Sequence, residues 1–153
     1  MNMIPRPARS TDAGTLGAML SEVVAANAWK PQLHSKAQDI AHMGELVDRG
    51  WVTVCEVDRD ISGFLACDGA VVQSLYEQGS AQNAGIGAGL LSHAKATHQA
   101  IELWTFQANT GAQRFYVKHG FKEVERTDGA GNAEGLPDIR FVWSADDKER
   151  AHG

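Results

Sequence analysis

The sequence predicts one α/β domain in which short strands and amphipathic helices follow the order β-α-α-β-β-β-α-β-α-β-β. Three observations carry that prediction. Apolar residues recur at helical spacing in three stretches: Leu16 to Val24, Ile40 to Val47 and Ile86 to Ala94. Between and after them lie short β-branched and aromatic runs bounded by turn residues, such as Val71-Val72-Gln73-Ser74-Leu75-Tyr76 and Ile101 to Phe106. One of these runs leads through a glycine-rich turn directly into a helical pattern, the arrangement of a strand–loop–helix unit. At 153 residues the chain has the length for one hydrophobic core. The sequence predicts a domain over 1–145 and a charged tail over 146–153 that frays.

Residues 3–9 read as a short edge strand, with Pro5 and Pro7 limiting its ladder bonds. Ser10-Thr11-Asp12 offers caps for a helix carrying Leu16, Met19, Leu20, Val23 and Val24 on one stripe, which Trp29-Lys30-Pro31 breaks. A second helix is predicted from Ser35 to Asp48 with Ile40, Met43, Leu46 and Val47 inward, ended by Gly50. Trp51 to Val57 and Ile61 to Cys67 form a strand pair about the charged turn Asp58-Arg59-Asp60. Residues 70–77 supply the next strand, and a helix from Gly85 to about Gln99 buries Ile86, Leu90, Leu91 and Ala94. A strand over Ile101–Phe106, a short helix over Thr110–His119, and strands over Phe121–Arg126 and Asp138–Trp143 complete the order.

The formal net charge of −5 and the lack of a basic stripe argue against a nucleic-acid partner. No apolar run approaches a membrane span, and the amino terminus lacks the apolar core of a secretion signal, so the sequence predicts a cytoplasmic protein. Cys55 and Cys67 read as free thiols in strand-like runs. The histidines show no zinc spacing, and no metal is expected.

The segment Gln82-Asn83-Ala84-Gly85-Ile86-Gly87 follows the fourth strand and opens a helix. Unpaired N–H groups and the positive end of a helix dipole meet there, which suits a phosphate. A P-loop needs a Lys directly after its glycines, and the next Lys here is Lys95. A dinucleotide fingerprint needs Gly-x-Gly-x-x-Gly, whereas these glycines fall at 85, 87 and 89. Gln/Arg-x-x-Gly-x-Gly/Ala after a strand fits better. Downstream, Asn109, Ala112, Phe115, Tyr116, Gly120 and Phe121 stand in the pattern Asn-x-x-Ala-x-x-Phe-Tyr-x-x-x-Gly-Phe.

Together these two motifs resemble the GNAT family of N-acetyltransferases, with the likeness sharpest over residues 69–122. The resemblance implies a mixed, mostly antiparallel, splayed sheet of about seven strands flanked by about four helices. It implies acetyl-CoA as co-substrate, its pyrophosphate held by Gln82, Asn83, Ala84, Gly85, Ile86 and Gly87. Its pantetheine arm would run along the strand at Leu75 and Tyr76, whose backbone polarises the acetyl carbonyl, with Asn109 reaching the same arm. Asn83-Ala84 departs from the family pattern, which commonly carries Gly and a basic residue there.

Tyr116 is implied as the general acid for the departing thiolate; the alternative is a helix tyrosine with its ring in the core and its hydroxyl in water. A general base must also be found. Glu77 is the preferred candidate, with Glu102, His34, His42 and Asp68 as further options, each of which equally reads as a solvated surface residue. Asn109 reads as a helix cap whatever its other role.

The segment 127–137 is either a mobile surface loop or a substrate rim in which Asp128 or Glu134 meets a cationic amine, with Trp29 and His34 opposite. The acceptor reads as a small-molecule amine, with peptide and protein amino groups as alternatives. A non-catalytic acyl-CoA sensor of the same fold and a nucleotide-binding domain are the rival classes. The resemblance is compatible with a homodimer through the last strands.

Overall fold

The computed structural model describes residues 3–26, 33–78 and 85–146, with side chains of 23–26 left aside. The chain opens on β1 (Met3–Pro7), shorter than the predicted 3–9 because the Asp12 carboxylate draws the Arg9 N–H at 2.8 Å and turns the chain. Ser10–Asp12 therefore forms one 3-10 turn ahead of α1 (Ala13–Ala26) instead of simple caps. Ser35 caps α2 (Lys36–Asp48) in a reciprocal capping box with Gln38. Gly50, at φ +76°, turns the chain out of it. The break at Trp29-Lys30-Pro31 lies outside the described residues, as do the side chains of Val23 and Val24.

The two helices touch backbone to side. A Cβ on Gly17 would lie 2.5 Å from Ile40 Cα, so only glycine allows this approach. Ile40 is consequently used at its backbone and stays 40% exposed, against the expectation that it points inward. Buried Asp39 accepts a hydrogen bond from Ser21 Oγ at 2.6 Å and ties α2 to α1.

Next come β2 (Val52–Val57), β3 (Asp60–Asp68) and β4 (Val71–Glu77), then α3 (Ile86–Lys95), β5 (Ala100–Phe106), α4 (Thr110–Lys118), β6 (Lys122–Thr127) and β7 (Asp138–Ser144). α3 stops four residues short of the predicted Gln99. His98 Nδ1 takes up the Ala94 carbonyl at 2.8 Å, and Ala145 N–H bonds Gln99 O, so pairing of β5 with β7 claims the chain.

Among the described residues, seven strands form one sheet in the order β1-β2-β3-β4-β5-β7-β6. All neighbours are antiparallel except β4 and β5. That parallel pair is held only at Val71–Glu102 and Val72–Leu103. Beyond Val72 the strands separate and the sheet splays.

Two cores result. On one face α1 and α2 bury Leu16, Met19, Met43 and Leu46 against Val54, Phe64 and Ala66. On the other, α3 and α4 bury Ile86, Leu90, Leu91 and Tyr116 against Leu65, Ile101, Leu103 and Phe141. Alternation along each strand sends its side chains to the two faces in turn. Cys55 and Cys67 are free and not paired across the hairpin; Cys55 stands opposite Gly63. Burial pushes the Cys67 thiol up to about 11, which leaves it unreactive at neutral pH. No helix among the described residues is long and apolar enough to cross a membrane.

Candidate active site

The cleft between the diverging strands is the natural place for a ligand, because β4 from Ser74 to Glu77 keeps its ladder with β3 alone. The strand ends at Glu77, and the described chain resumes at Gly85. Gln82, Asn83 and Ala84 lie outside the described residues. Gly85 is the N-cap of α3 at φ +83°, a conformation that L side chains rarely adopt. Ile86 and Gly87 follow as the first buried residues of the helix. Their amides belong to the first turn, which has no partners within the helix.

One of those amides is already in use. The Glu77 carboxylate accepts a hydrogen bond from Gly87 N–H. Its Oε1 fills the space where a Cβ on Gly87 would stand, with Phe115 Cζ 3.1 Å from the same point. Burial pushes the Glu77 carboxyl above its ordinary range, and the Gly87 bond partly offsets this. The space at the head of α3 is thus taken up by the Glu77 carboxyl oxygen.

Tyr116 stands on α4 beside it. Asn109 Oδ1 caps this helix by accepting from Ala112 N–H at 3.0 Å, as expected for that residue type. The Tyr116 ring packs edge-on against Phe115 and Phe121, with centroids 5.3 and 5.5 Å away. Phe121 is buried, whereas Phe115 is only partly so. Tyr116 is 8% exposed, so the picture of a core ring with its hydroxyl in water does not hold. Burial is the main reason that its phenol is pushed well above the ordinary value, and the nearby Tyr76 and Glu77 add to it. Tyr116, Tyr76 and Glu77 therefore share one electrostatic neighbourhood. A phenol in such a place stays protonated through the neutral range and is a hydrogen donor.

The other candidate bases are dispersed. Glu102 Oε1 is paired with Arg140 Nε across the β5–β7 ladder. Asp68 lies at the β3–β4 turn, the end of β4 opposite Glu77. His34 and His42 are exposed, before and on α2.

The segment 127–137 is knit together by its own bonds. Asn132 donates to Leu136 O at 2.7 Å and to Asp138 Oδ2 at 3.2 Å, and accepts from Leu136 N–H. Thr127 Oγ1 donates to Asp138 Oδ1 and accepts from Gly129 N–H. Gln107, just past β5, donates to Thr127 O and Asp138 O, which fixes the segment to the β5 end of the cleft. Asp138 is buried at the centre of these bonds. This organisation was missed in the sequence; the run Thr-Asp-Gly and the Pro-Asp at the strand start are turn signals, and the distant partner Gln107 is not.

Trp104 was also missed. The alternation Ile101-Glu102-Leu103-Trp104 holds the clue: Ile101 and Leu103 are buried in the α3–α4 core, so Trp104 shares the opposite face with Glu102. It is the first β5 residue past the last β4 pair.

A mixed sheet splayed at its central parallel pair, with a glycine-opened helix at the end of the departing strand, defines an acyl-CoA N-acyltransferase fold. The chain belongs to the GNAT acetyltransferase domain family, whose model matches residues 42–123. It is 32% identical to an uncharacterized N-acetyltransferase of Methanocaldococcus jannaschii over 50% of this chain, and this match spans 41% of that relative's length. It is 28% identical to the peptidyl-lysine N-acetyltransferase YjaB of Salmonella typhimurium over 67% of each chain.

In fold it is similar to the apo form of YjaB from Escherichia coli, with TM-score 0.78 and 19% identity over 94% of this chain and 98% of that one. It is also similar to yncA from Salmonella typhimurium, solved with its cofactor acetyl-CoA, with TM-score 0.73 and 19% identity over 94% of each chain.

Proposed function

We propose that this domain transfers the acetyl group of acetyl-CoA to a primary amine, with a small amine as the preferred acceptor. The observation that carries the reading is the parting of β4 from β5 after Val72, directly beside Tyr116 and the head of α3. Bound acetyl-CoA would supply an activated acyl group on a thiol leaving group. Gly85, Ile86 and Gly87 would hold its pyrophosphate through backbone N–H groups, together with Gln82, Asn83 and Ala84. For the pyrophosphate to reach the Gly87 amide, the Glu77 carboxyl would have to give it up.

The chain's own groups then divide the work. Backbone amides at Leu75 and Tyr76 would align the pantetheine arm and polarise the carbonyl, a role worth a few kcal/mol of barrier. Asn109 would contact the same arm in addition to capping α4. Glu77, at the end of β4, is proposed as the base that receives the proton of the attacking ammonium through water across the splay, once its carboxyl has left the Gly87 amide. Tyr116 is proposed as the acid that returns a proton to sulfur as the carbon–sulfur bond breaks. The products are an N-acetyl amine and free CoA thiol.

A second reading is favoured by one relative. YjaB of Salmonella typhimurium is named a peptidyl-lysine N-acetyltransferase, so a lysine side chain in a peptide is the rival acceptor. Thermal melting with acetyl-CoA, CoA, ATP and NAD in parallel tests the cofactor, and thiol release with small amines and with a lysyl peptide tests the acceptor. A shift with ATP or NAD alone overturns the proposal. Stabilisation by CoA compounds with no thiol release from any amine favours a non-catalytic sensor.

A further inference from the structure

Among the described residues most aromatic rings meet another ring or a cation, and the Trp104 ring does not. Arg49 lies over the Trp51 ring at 4.8 Å, and Lys95 lies over Trp143 at 5.1 Å. Trp104 is 42% exposed, and among the described residues neither a cation nor another ring stacks on it. Its cross-strand neighbour in register is Arg140, the natural partner for an indole face. Arg140 is instead drawn diagonally across the β5–β7 ladder to Glu102. The ion pair removes the competing cation and leaves the indole open.

The location of this open ring is specific. Trp104 sits at the apex of the splay, one residue beyond the Val72–Leu103 pair. It lies on the face of β5 away from α3 and α4, and the α1–α2 core takes no residue from β5, β7 or β6. The ring therefore stands beside the splay on the face of the sheet opposite the α3–α4 core. Tyr76, on the β4 arm, points to this same face, where it packs with Phe64 at 5.3 Å. The bonded segment 127–137 closes the far end of the β5 arm through Gln107. A net charge of −5 adds a general attraction for cations.

We infer that Trp104 is the acceptor-side wall of the cleft and determines acceptor specificity: its free indole face receives the ammonium-bearing end of a primary amine. The inference rests on the acetyl-transfer reading and names how that site selects its second substrate. The ammonium is held on the indole before deprotonation, and the Glu102–Arg140 pair keeps the ring from being capped by the protein's own cation. Trp104 acts on acceptor binding, whereas Tyr116 and the head of α3 act on the cofactor.

The test compares wild type, Trp104→Ala and Trp104→Phe in thiol release with phenethylamine, 1,4-diaminobutane and N-acetyl-lysine amide. Trp104→Ala should raise the acceptor KM roughly tenfold or more, with Trp104→Phe within about threefold of wild type. The Kd for CoA should stay the same in all three. An acceptor KM indifferent to Trp104→Ala, or a CoA Kd that moves in parallel, overturns the inference while leaving acetyl transfer standing.

Wild type that binds CoA but releases thiol with no amine overturns the acetyl-transfer reading instead. In that case titration of the CoA-loaded protein with the same amines still decides the matter. The Trp104 indole N–H resonance, assigned by its loss in Trp104→Phe, must shift with at least one amine. A resonance unmoved by all three overturns the inference.

Discussion

Glu77 and Gly87, ten residues apart in sequence and on different elements, fit one another as carboxylate and vacancy: the carboxylate oxygen stands where a Gly87 side chain would begin and bonds to the Gly87 N–H. This contact couples the end of β4 to the first turn of α3. It also makes two glycines of the same helix respond oppositely to the same substitution.

A Cβ added at Gly89 would have nothing within 4 Å, whereas at Gly87 the added methyl meets Glu77 and Phe115. Gly89→Ala should therefore stabilise the fold by up to about 1 kcal/mol through helix propensity. Gly87→Ala should destabilise it by about 1–3 kcal/mol from overpacking. Chemical denaturation of both variants checks the sign, and a stabilising Gly87→Ala would refute the contact. Glu77→Ala combined with Gly87→Ala should recover part of the loss, because the nearest clashing atom belongs to that carboxylate.

Gly17 predicts a larger effect. A Cβ there meets the backbone of Ile40, at 2.5 Å from Cα and 2.7 Å from N, and a backbone cannot rotate away. Gly17→Ala should cost about 3 kcal/mol and drop Tm accordingly. A loss below about 1 kcal/mol in the same measurement would mean that α1 and α2 are not this close.

Tyr116→Phe keeps the ring that packs on Phe115, Phe121 and Phe141 and deletes only the hydroxyl. Stability should change by no more than about 1 kcal/mol. On the proposed mechanism, thiol release should fall by about 10²–10⁴-fold with CoA affinity kept. Because the phenol is pushed above its ordinary value, its titration should contribute no limb to the pH–rate profile between about pH 6 and 9.

Glu77 gives a pH dependence of definite sign. Its folded carboxyl binds its proton more tightly than the unfolded one, whose value is near 4.5. As pH rises from that value through the raised folded pKa, the folded state holds more protons than the unfolded state, so this group's contribution to stability falls. Below the unfolded value there is no penalty. Glu77→Gln, which keeps an oxygen for Gly87 N–H, should raise Tm at about pH 7 and leave it unchanged at about pH 4. A Tm difference that is the same at both pH values would show that desolvation of this carboxylate is not its source.

Asn132→Ala removes the donor and acceptor that close the segment 127–137 on Leu136 and Asp138. It should speed amide exchange over residues 129–136 and leave exchange in α3 as it was. Unchanged exchange in that segment would mean that Thr127 and Gln107 suffice to hold it.

Much of the architecture was legible because its causes are local. Ser35 with Gln38, Asn109 with Ala112 and Gly85 at positive φ are caps set by residues within a few positions of each other. Short strand-like runs bounded by turn residues located all seven strands in order. Element ends were read less well. The Asp12 turn shortens β1, and pairing at Ala100–Ser144 shortens α3, since both depend on partners that propensity does not report. Ile40 was misplaced because helix period names a face and cannot foresee that Gly17 would admit a backbone there.

By itself the sequence determined the order of elements, the glycine-opened helix at the end of β4 and the Asn109–Phe121 motif that marks the family. Only the tertiary structure decided that β4 leaves β5 after two pairs, that Glu77 meets Gly87, that Glu102 is spent on Arg140 and that the Trp104 ring is left open. All but the Glu77–Gly87 contact depend on register between strands far apart in the chain. Bulges at Ala66/Cys67 and Glu123/Glu125 shift that register, and a shift of one residue carries a side chain to the other face of the sheet.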